Sequence, residues 1–421
     1  MRLTGLIFVI GAVFLCMVGA LNALDIEGGA VLAQKPAVKP GVDMLFEKHL
    51  ALIKGKRVGL VTNPTGVDSR LRATADLLAA HPDVKLVALF GPEHGIRGGV
   101  QGVISNSVDT KTGVPAFSLY GKIRKPTKEM LENVDILLFD IQDIGSRTYT
   151  YISTMKQCMD AAAEHNKKFI VLDRPNPVNG VIVEGPMLEE GFESFIGIGN
   201  IAYMHGMTIG ELALFFNKEW GINCDLDVVK MDGWKRSMTW RDTGLIWVPT
   251  SPHIPEADSS WFYPITGIIG ETPLVNIGVG YTLPFKVVGA PWMNAEGISR
   301  ALNDKRIPGV YFQPFYYKPS YYHYSGEVCE GFRIVITDEK TIKPVAVGYY
   351  ITEQLMKMYP HNVNFELENV KGRIKAFDWS NGSDKVRLML ENGTPVEKIV
   401  ESYQPAVQEF MKKRAQYLLY E

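Results

Sequence analysis

Four apolar runs in this chain end in clusters of residues able to do chemistry: VGLVTNPTG, LVALFGPEHG, DILLFDIQDIGSR and FIVLDRPNP. Read as parallel strands, they bring Asn63, Glu93, Asp140, Asp143, Asp173 and Arg174 to their carboxyl ends, where open α/β sheets hold ligands. Carboxyl groups gathered on one rim suit glycoside hydrolysis, in which one acid protonates the leaving oxygen and a second carboxylate serves as base, nucleophile or charge stabiliser. Glu93 is the expected proton donor, because glycines and a proline in GPEHG force a sharp turn that presents its side chain above the sheet. The competing reading pairs Glu93 with Arg97 as a loop-fixing ion pair.

Asp140 and Asp143 are the candidates for the second carboxyl. Against that role, an aspartate at a strand end often caps the next helix or holds an arginine, here Arg147 or Arg174. Substrate binding is expected from Asn63, His94, Arg97, Gln142, Arg147 and Tyr149, and from Asp173, Arg174 and Asn176 in the proline-stiffened DRPNP cluster. His205, His253, Glu271 and Tyr281 complete the set. Asp173 also fits a buried network bracing the sheet. The histidines stand singly, with no HxH or HExxH spacing, so no catalytic metal is expected.

The elements that must position these residues follow from the pattern of the chain. From Lys56 onward, short apolar runs alternate with amphipathic stretches, the signature of βαβ units and a mainly parallel sheet. Strands are predicted at Arg57–Thr62, 84–90, 135–139, Lys168–Leu172 and 226–230, with helices near 71–80 and 149–164. Thr208 and Glu211 form a capping box ahead of LALFFNKEW. Between Trp247 and Trp292 the texture turns to Pro, Gly and aromatic residues without helical periodicity. That stretch is expected to be a long loop walling the site, with Trp247, Trp261, Tyr263, Tyr281 and Trp292 as its aromatic face. A helix at 295–303, a Tyr-rich segment at 311–324, a strand at 332–336 and further helices complete the chain. The fold class is α/β: a Rossmann-like catalytic domain at 42–289 and a smaller α+β C-terminal auxiliary domain at 290–421.

The 421 residues carry 44 basic and 46 acidic side chains without a long like-charge run, which gives nucleic acid no electrostatic footprint. There is no GxSxG elbow, no GxxxxGK(S/T) loop, and NPTG stands where a dinucleotide fold carries its glycines, so neither a serine hydrolase nor a nucleotide cofactor is indicated. Residues 1–23 read as a secretory signal peptide: Arg2, an apolar run from Leu6 to Leu21 and small residues at the cut. An uncleaved membrane anchor is the alternative. Residues 24–41 read as a tether. The three cysteines beyond the leader, Cys158, Cys224 and Cys329, have no CxxC spacing and read as buried thiols.

The blocks LVTNPTG, FGPEHGIRG, SLYG, FDIQDIGSRTYTYISTM, LDRPNP, VEGPML, HGMTIGELA and PFKVVGAPW, in this order, resemble the NamZ-like exo-β-N-acetylmuramidase family. The resemblance runs from about Leu45 to the C-terminus. It implies an enzyme that removes N-acetylmuramic acid from non-reducing ends of peptidoglycan fragments, with the GPEHG glutamate, Glu93, in a cleft between a Rossmann-like catalytic domain and a smaller C-terminal domain. The chain departs from the family pattern between Glu271 and Pro284, where no arginine stands, and this predicts a subsite less suited to a free lactyl carboxylate. Two further classes fit less well: a non-catalytic saccharide-binding protein on the same scaffold, and an amidase or esterase of cell-wall substituents.

Overall fold

The computed structural model describes residues 37–98 and 106–421, so the expected leader and most of the 24–41 tether lie outside the described residues. Strand β1 (Arg57–Thr62) occupies the middle of a seven-stranded sheet. Its run RVGLVT is apolar without strict alternation because helices cover both of its faces. β2 (Lys85–Gly91) pairs with it in parallel on one side and β5 (Ile136–Asp140) on the other, with Val58 opposite Ile136 and Thr62 opposite Asp140. The full order is β3-β4-β2-β1-β5-β6-β9, with β3 (Ser107–Val108), β4 (Pro115–Ser118), β6 (Lys168–Leu172) and β9 (Asp225–Val229). Only β3 runs antiparallel.

The chain moves outward from β1 through β2 to β4, then returns to β5 and moves outward the other way. That reversal puts a topological switch point between the carboxyl ends of β1 and β5, the position at which open α/β sheets leave a crevice. Helices α1 (Gly41–Lys48) and α2 (Thr74–Ala80) cover one face, packing Val42, Leu45 and Leu78 on Leu60, Leu138 and Ile170. Helices α3 (Tyr151–Glu164) and α4 (Ile209–Glu219) cover the other, where Met155 and Leu212 join Val61, Phe139 and Val171. The α4 capping box forms as the sequence predicts: Thr208 Oγ1 accepts from Glu211 N at 3.2 Å, and Glu211 Oε2 accepts from Thr208 N at 3.0 Å.

A short hairpin, β7 (Glu184–Met187) with β8 (Ala202–Met204), stands beside this sheet, and α5 (Trp240–Thr243) follows β9. The stretch expected as a loop instead contains α6 (Ser259–Gly270), with Pro264 inside it. Its sequence SSWFYPITGIIG is buried on nearly every side, so it has no polar face to create a helical period. α6 packs on α8 (Pro344–Met358).

A three-stranded antiparallel sheet follows, ordered β10-β12-β11, from β10 (Val287–Ala290), β11 (Val310–Tyr317) and β12 (Cys329–Ile336), with α7 (Ala295–Asp304) against it. Gly289, where the sequence suggests a domain boundary, lies within β10 opposite Gly331. The chain ends in α9 (Glu368–Lys371), α10 (Ile374–Asn381), α11 (Lys385–Glu391) and the long α12 (Val396–Arg414). Its last residues return to the large sheet, where Tyr420 Oη donates to Asp173 Oδ2 at 2.5 Å and Leu419 N to Glu211 Oε1 at 2.8 Å. No helix among the described residues is long and apolar enough to cross a membrane.

Candidate active site

The switch point gathers side chains from four strand ends. Asn63 follows β1, Glu93 follows β2, Tyr120 follows β4, and Gln142 and Asp143 follow β5. The turn carrying Glu93 is held by residues in left-handed conformation, His94 at φ 69° and Gly95 at φ 72°. Glu93 is half-buried and does not pair with Arg97, whose guanidinium reaches Asp109 at 2.8 Å and Asp76 at 2.9 Å. Its neighbour is Tyr120, set beside the turn by the Leu119 N–H, which donates to Gly91 O at 2.8 Å. Burial, together with the hydrogen bond to Glu93, pushes the Tyr120 phenol up to about 12.

Hydrogen-bond partners, not burial, separate the two aspartates at the end of β5. Asp140 is fully enclosed and saturated: Oδ1 accepts from Arg174 Nε at 2.6 Å and Oδ2 from Thr74 Oγ1 at 2.6 Å. Asp143 accepts from Gly145 N at 2.7 Å through Oδ2, while its buried Oδ1 has no hydrogen-bond partner among the described residues. The same is true of Asn63 Nδ2, Gln142 Oε1, Ser146 Oγ, His94 Nδ1 and His205 Nε2. Each such group carries an uncompensated desolvation penalty of about 1–3 kcal/mol. Asn63, His94, Gln142 and Asp143 among them follow the carboxyl ends of β1, β2 and β5, so the switch point collects buried polar groups that await a ligand or ordered water.

Tyrosines wall this surface. Tyr149 Oη donates to Thr250 Oγ1 at 2.6 Å, Tyr151 Oη donates to Thr250 O, and the two rings meet edge-on at 4.9 Å. Burial, the largest influence, drives the Tyr151 phenol far above its ordinary range, so it stays neutral beside Glu93 and Asp143. His253 Nε2 lies 2.9 Å from Tyr321 Oη, and burial followed by the proximity of His94 lowers its pKa. Among the described residues no group of three His, Cys, Asp or Glu side chains is placed to hold a metal ion.

Sequence profiles of one family match both parts of the chain: "Exo-beta-N-acetylmuramidase NamZ, N-terminal" over residues 58–258 and "Exo-beta-N-acetylmuramidase NamZ, C-terminal" over residues 261–420. The chain belongs to the NamZ family. It is 45% identical over 390 residues to the peptidoglycan β-N-acetylmuramidase NamZ of Bacillus subtilis strain 168, covering 92% of each protein. Two crystal structures of DUF1343 family proteins from Bacteroides fragilis NCTC 9343 share the fold. One superposes with a TM-score of 0.88 at 44% identity, covering 92% of this chain and 100% of the other. The second gives a TM-score of 0.74 at 31% identity, covering 91% and 99%.

On this NamZ scaffold several residues expected at the sugar are instead consumed by the protein. Arg147 is wholly buried and donates to three carbonyls, Pro186 O and Ile201 O at 2.7 Å and Ser380 O at 2.8 Å, so it ties the hairpin to α10. Burial with no carboxylate beside it lowers its pKa to about 10. Arg174 is spent on Asp140 and Val67 O, and Asn176 on Met207 O and Val178 N. Asp173 accepts from Arg174 N, Gly210 N, Thr208 Oγ1 and Tyr420 Oη, the bracing network that was its alternative reading. Arg97 serves the Asp76 and Asp109 pair. Tyr281 packs on Tyr317 and Phe315.

Of the expected aromatic face, Trp261 is in the core and Trp247 packs edge-on against Trp240. Glu271 lies beyond Tyr263, and burial raises its pKa. Arg373 donates to Glu271 O at 3.0 Å and approaches Glu271 Oε2 at 3.5 Å. Sequence reasoning did not single out Tyr120, Tyr321 or Thr250. Tyr120 had a signal in the SLYG block that follows β4, whereas Tyr321 and Thr250 reach the site only through tertiary packing.

Proposed function

We propose that this protein is a glycoside hydrolase that releases β-linked N-acetylmuramic acid from non-reducing ends of peptidoglycan fragments, with Glu93 as general acid and Asp143 as the second carboxyl. The observation carrying the site assignment is the contrast at the switch point. Among the described residues Glu93 has no ion-pair partner and Asp143 keeps a buried oxygen without a hydrogen-bond partner, while Asp140 and Asp173 on the same rim are spent on structure. A sugar bound at this switch point would have its glycosidic oxygen protonated by Glu93. Asp143 would stabilise or attack the anomeric carbon, or activate water. The specificity for muramic acid is supported by the family and by the activity in the name of the Bacillus subtilis relative.

The test is turnover of an unactivated β-linked N-acetylmuramyl–N-acetylglucosamine disaccharide by the wild type and by Glu93→Gln. The amide keeps the shape but cannot donate the catalytic proton. Turnover should fall by about 10²–10⁴-fold with the melting temperature unchanged. Wild-type turnover in the variant removes Glu93 from this role, and a wild type that binds the disaccharide without cleaving it establishes a binding protein.

Export is part of the proposal and rests on the leader, Arg2 followed by the apolar run to Leu21. Cleavage by signal peptidase should leave a mature chain beginning near Leu21 or Leu24, outside the cytoplasm. N-terminal sequencing of the protein from its host decides this, since an intact Met1 in the membrane fraction would make the leader an anchor.

A further inference from the structure

We infer that His205 is a positioning residue for Asp143, fixing that carboxylate from behind without touching the sugar. The inference rests on reading Asp143 as the second catalytic carboxyl. His205 immediately follows β8, and the chain pairs Ser146 with Met204 and joins Arg147 N to Tyr203 O at 2.7 Å, so the Asp143 loop and the His205 strand end are laced together. The imidazole is wholly buried. Its Nδ1 accepts from Met207 N at 3.2 Å, which requires that the ring proton sit on Nε2.

That Nε2–H has no hydrogen-bond acceptor among the described residues, and it lies 3.6 Å from Asp143 Oδ2. Oδ2 already accepts from Gly145 N, so the carboxylate is gripped along one edge and Oδ1 is left as the oxygen without a protein partner among the described residues. Catalytic hydrogen bonds are commonly long in a free enzyme and tighten once substrate is bound. The backbone behind the ring is itself fixed: Arg414 and Arg236 both donate to Gly206 O, and Arg414 also donates to His205 O at 3.3 Å. A base held by a third group is the general arrangement by which an enzyme keeps a reacting oxygen in line.

Two isosteric replacements divide the ring's functions. In His205→Asn the side-chain oxygen takes the place of Nδ1 and keeps the Met207 contact, but nothing reaches Asp143. In His205→Gln the amide nitrogen takes the place of Nε2 and restores that reach. On the unactivated disaccharide, kcat of His205→Asn should fall roughly 10- to 100-fold, since a misplacement of about 1 Å can cost 10²-fold. KM should stay within about twofold, because no substrate contact is lost. His205→Gln should recover most of the loss.

In the Asp143→Asn background, His205→Asn should cost little more, because the group it positions is already disabled. A raised KM with unchanged kcat would make His205 a sugar ligand and overturn the inference. Equal kcat in the Asn and Gln variants, or fully multiplicative losses in the double variant, would overturn it as well. Wild-type kcat in Asp143→Asn alone would remove the reading beneath it, an outcome distinct from failure at His205.

Discussion

Asp140 and Asp143 leave the same strand three residues apart, yet one is tied up by Arg174 and Thr74 while the other keeps an oxygen without a partner among the described residues. Asp140 forms a closed unit with Arg174 and Thr74, and removing its charge leaves the buried guanidinium unpaired. Breaking a buried pair in this way costs about 3–5 kcal/mol, far more than an exposed one. Asp140→Asn is therefore expected to lower the denaturation midpoint sharply. Asp143→Asn should instead leave the midpoint near wild type and abolish most turnover, because its Oδ1 supports nothing within the protein. Urea titrations and disaccharide assays on both variants check the pair of outcomes, and the reverse assignment of stability and activity would refute it. The strand and its polar ending were legible in FDIQDIGSR, but which aspartate meets Arg174 was not. That choice depends on β5 and β6 lying side by side in parallel, so that Arg174 turns back across the rim.

Elements were legible where local chemistry and burial agree. β1 and β6 are apolar runs closed by turn residues, and α4 announces itself through Thr208 and Glu211. That cap also holds the sheet, because the Thr208 hydroxyl that accepts from Glu211 N donates to Asp173 Oδ2 at 2.8 Å. Thr208→Ala should cost at least the roughly 1 kcal/mol of an ordinary N-cap. Thr208→Ser should cost less, since it keeps both bonds. Equal midpoints for the alanine and serine variants would show that the hydroxyl contributes nothing. α6 was illegible because a helix buried on nearly every side has no amphipathic period, and Pro264 within it argued locally against a helix. β10 was equally hidden, being four residues long with Gly289 in its middle. The proposed role of His205 was hidden for a different reason: it rests on the pairing of Ser146 with Met204, a contact between segments far apart in the chain.

Across the whole molecule, two buried carboxyls join distant segments and should give stability a common dependence on pH. Glu184 on β7 accepts from Val345 N and Ala346 N in the first turn of α8, and Asp173 at the end of β6 accepts from Tyr420 in the C-terminal tail. Burial is the largest influence on each and raises both to about 7, against the opposing pull of their hydrogen-bond donors. In the unfolded chain both titrate near 4. Between those values the folded protein holds protons that the unfolded chain has released, so stability is greatest at the acidic end and declines as pH rises toward 7. The slope from one such group approaches about 1.4 kcal/mol per pH unit within that window and levels off above it. Other groups titrate in the same range, so the informative quantity is the difference between wild type and a variant that cannot ionise. Thermal or urea midpoints from pH 5 to 8 at fixed ionic strength should show a shallower decline for Glu184→Gln than for wild type. Asp173→Asn should behave likewise, provided that its amide still receives Gly210 N and Thr208. Wild type and both variants running parallel across that range would mean that these carboxylates are already ionised in the folded protein, with their donors outweighing burial.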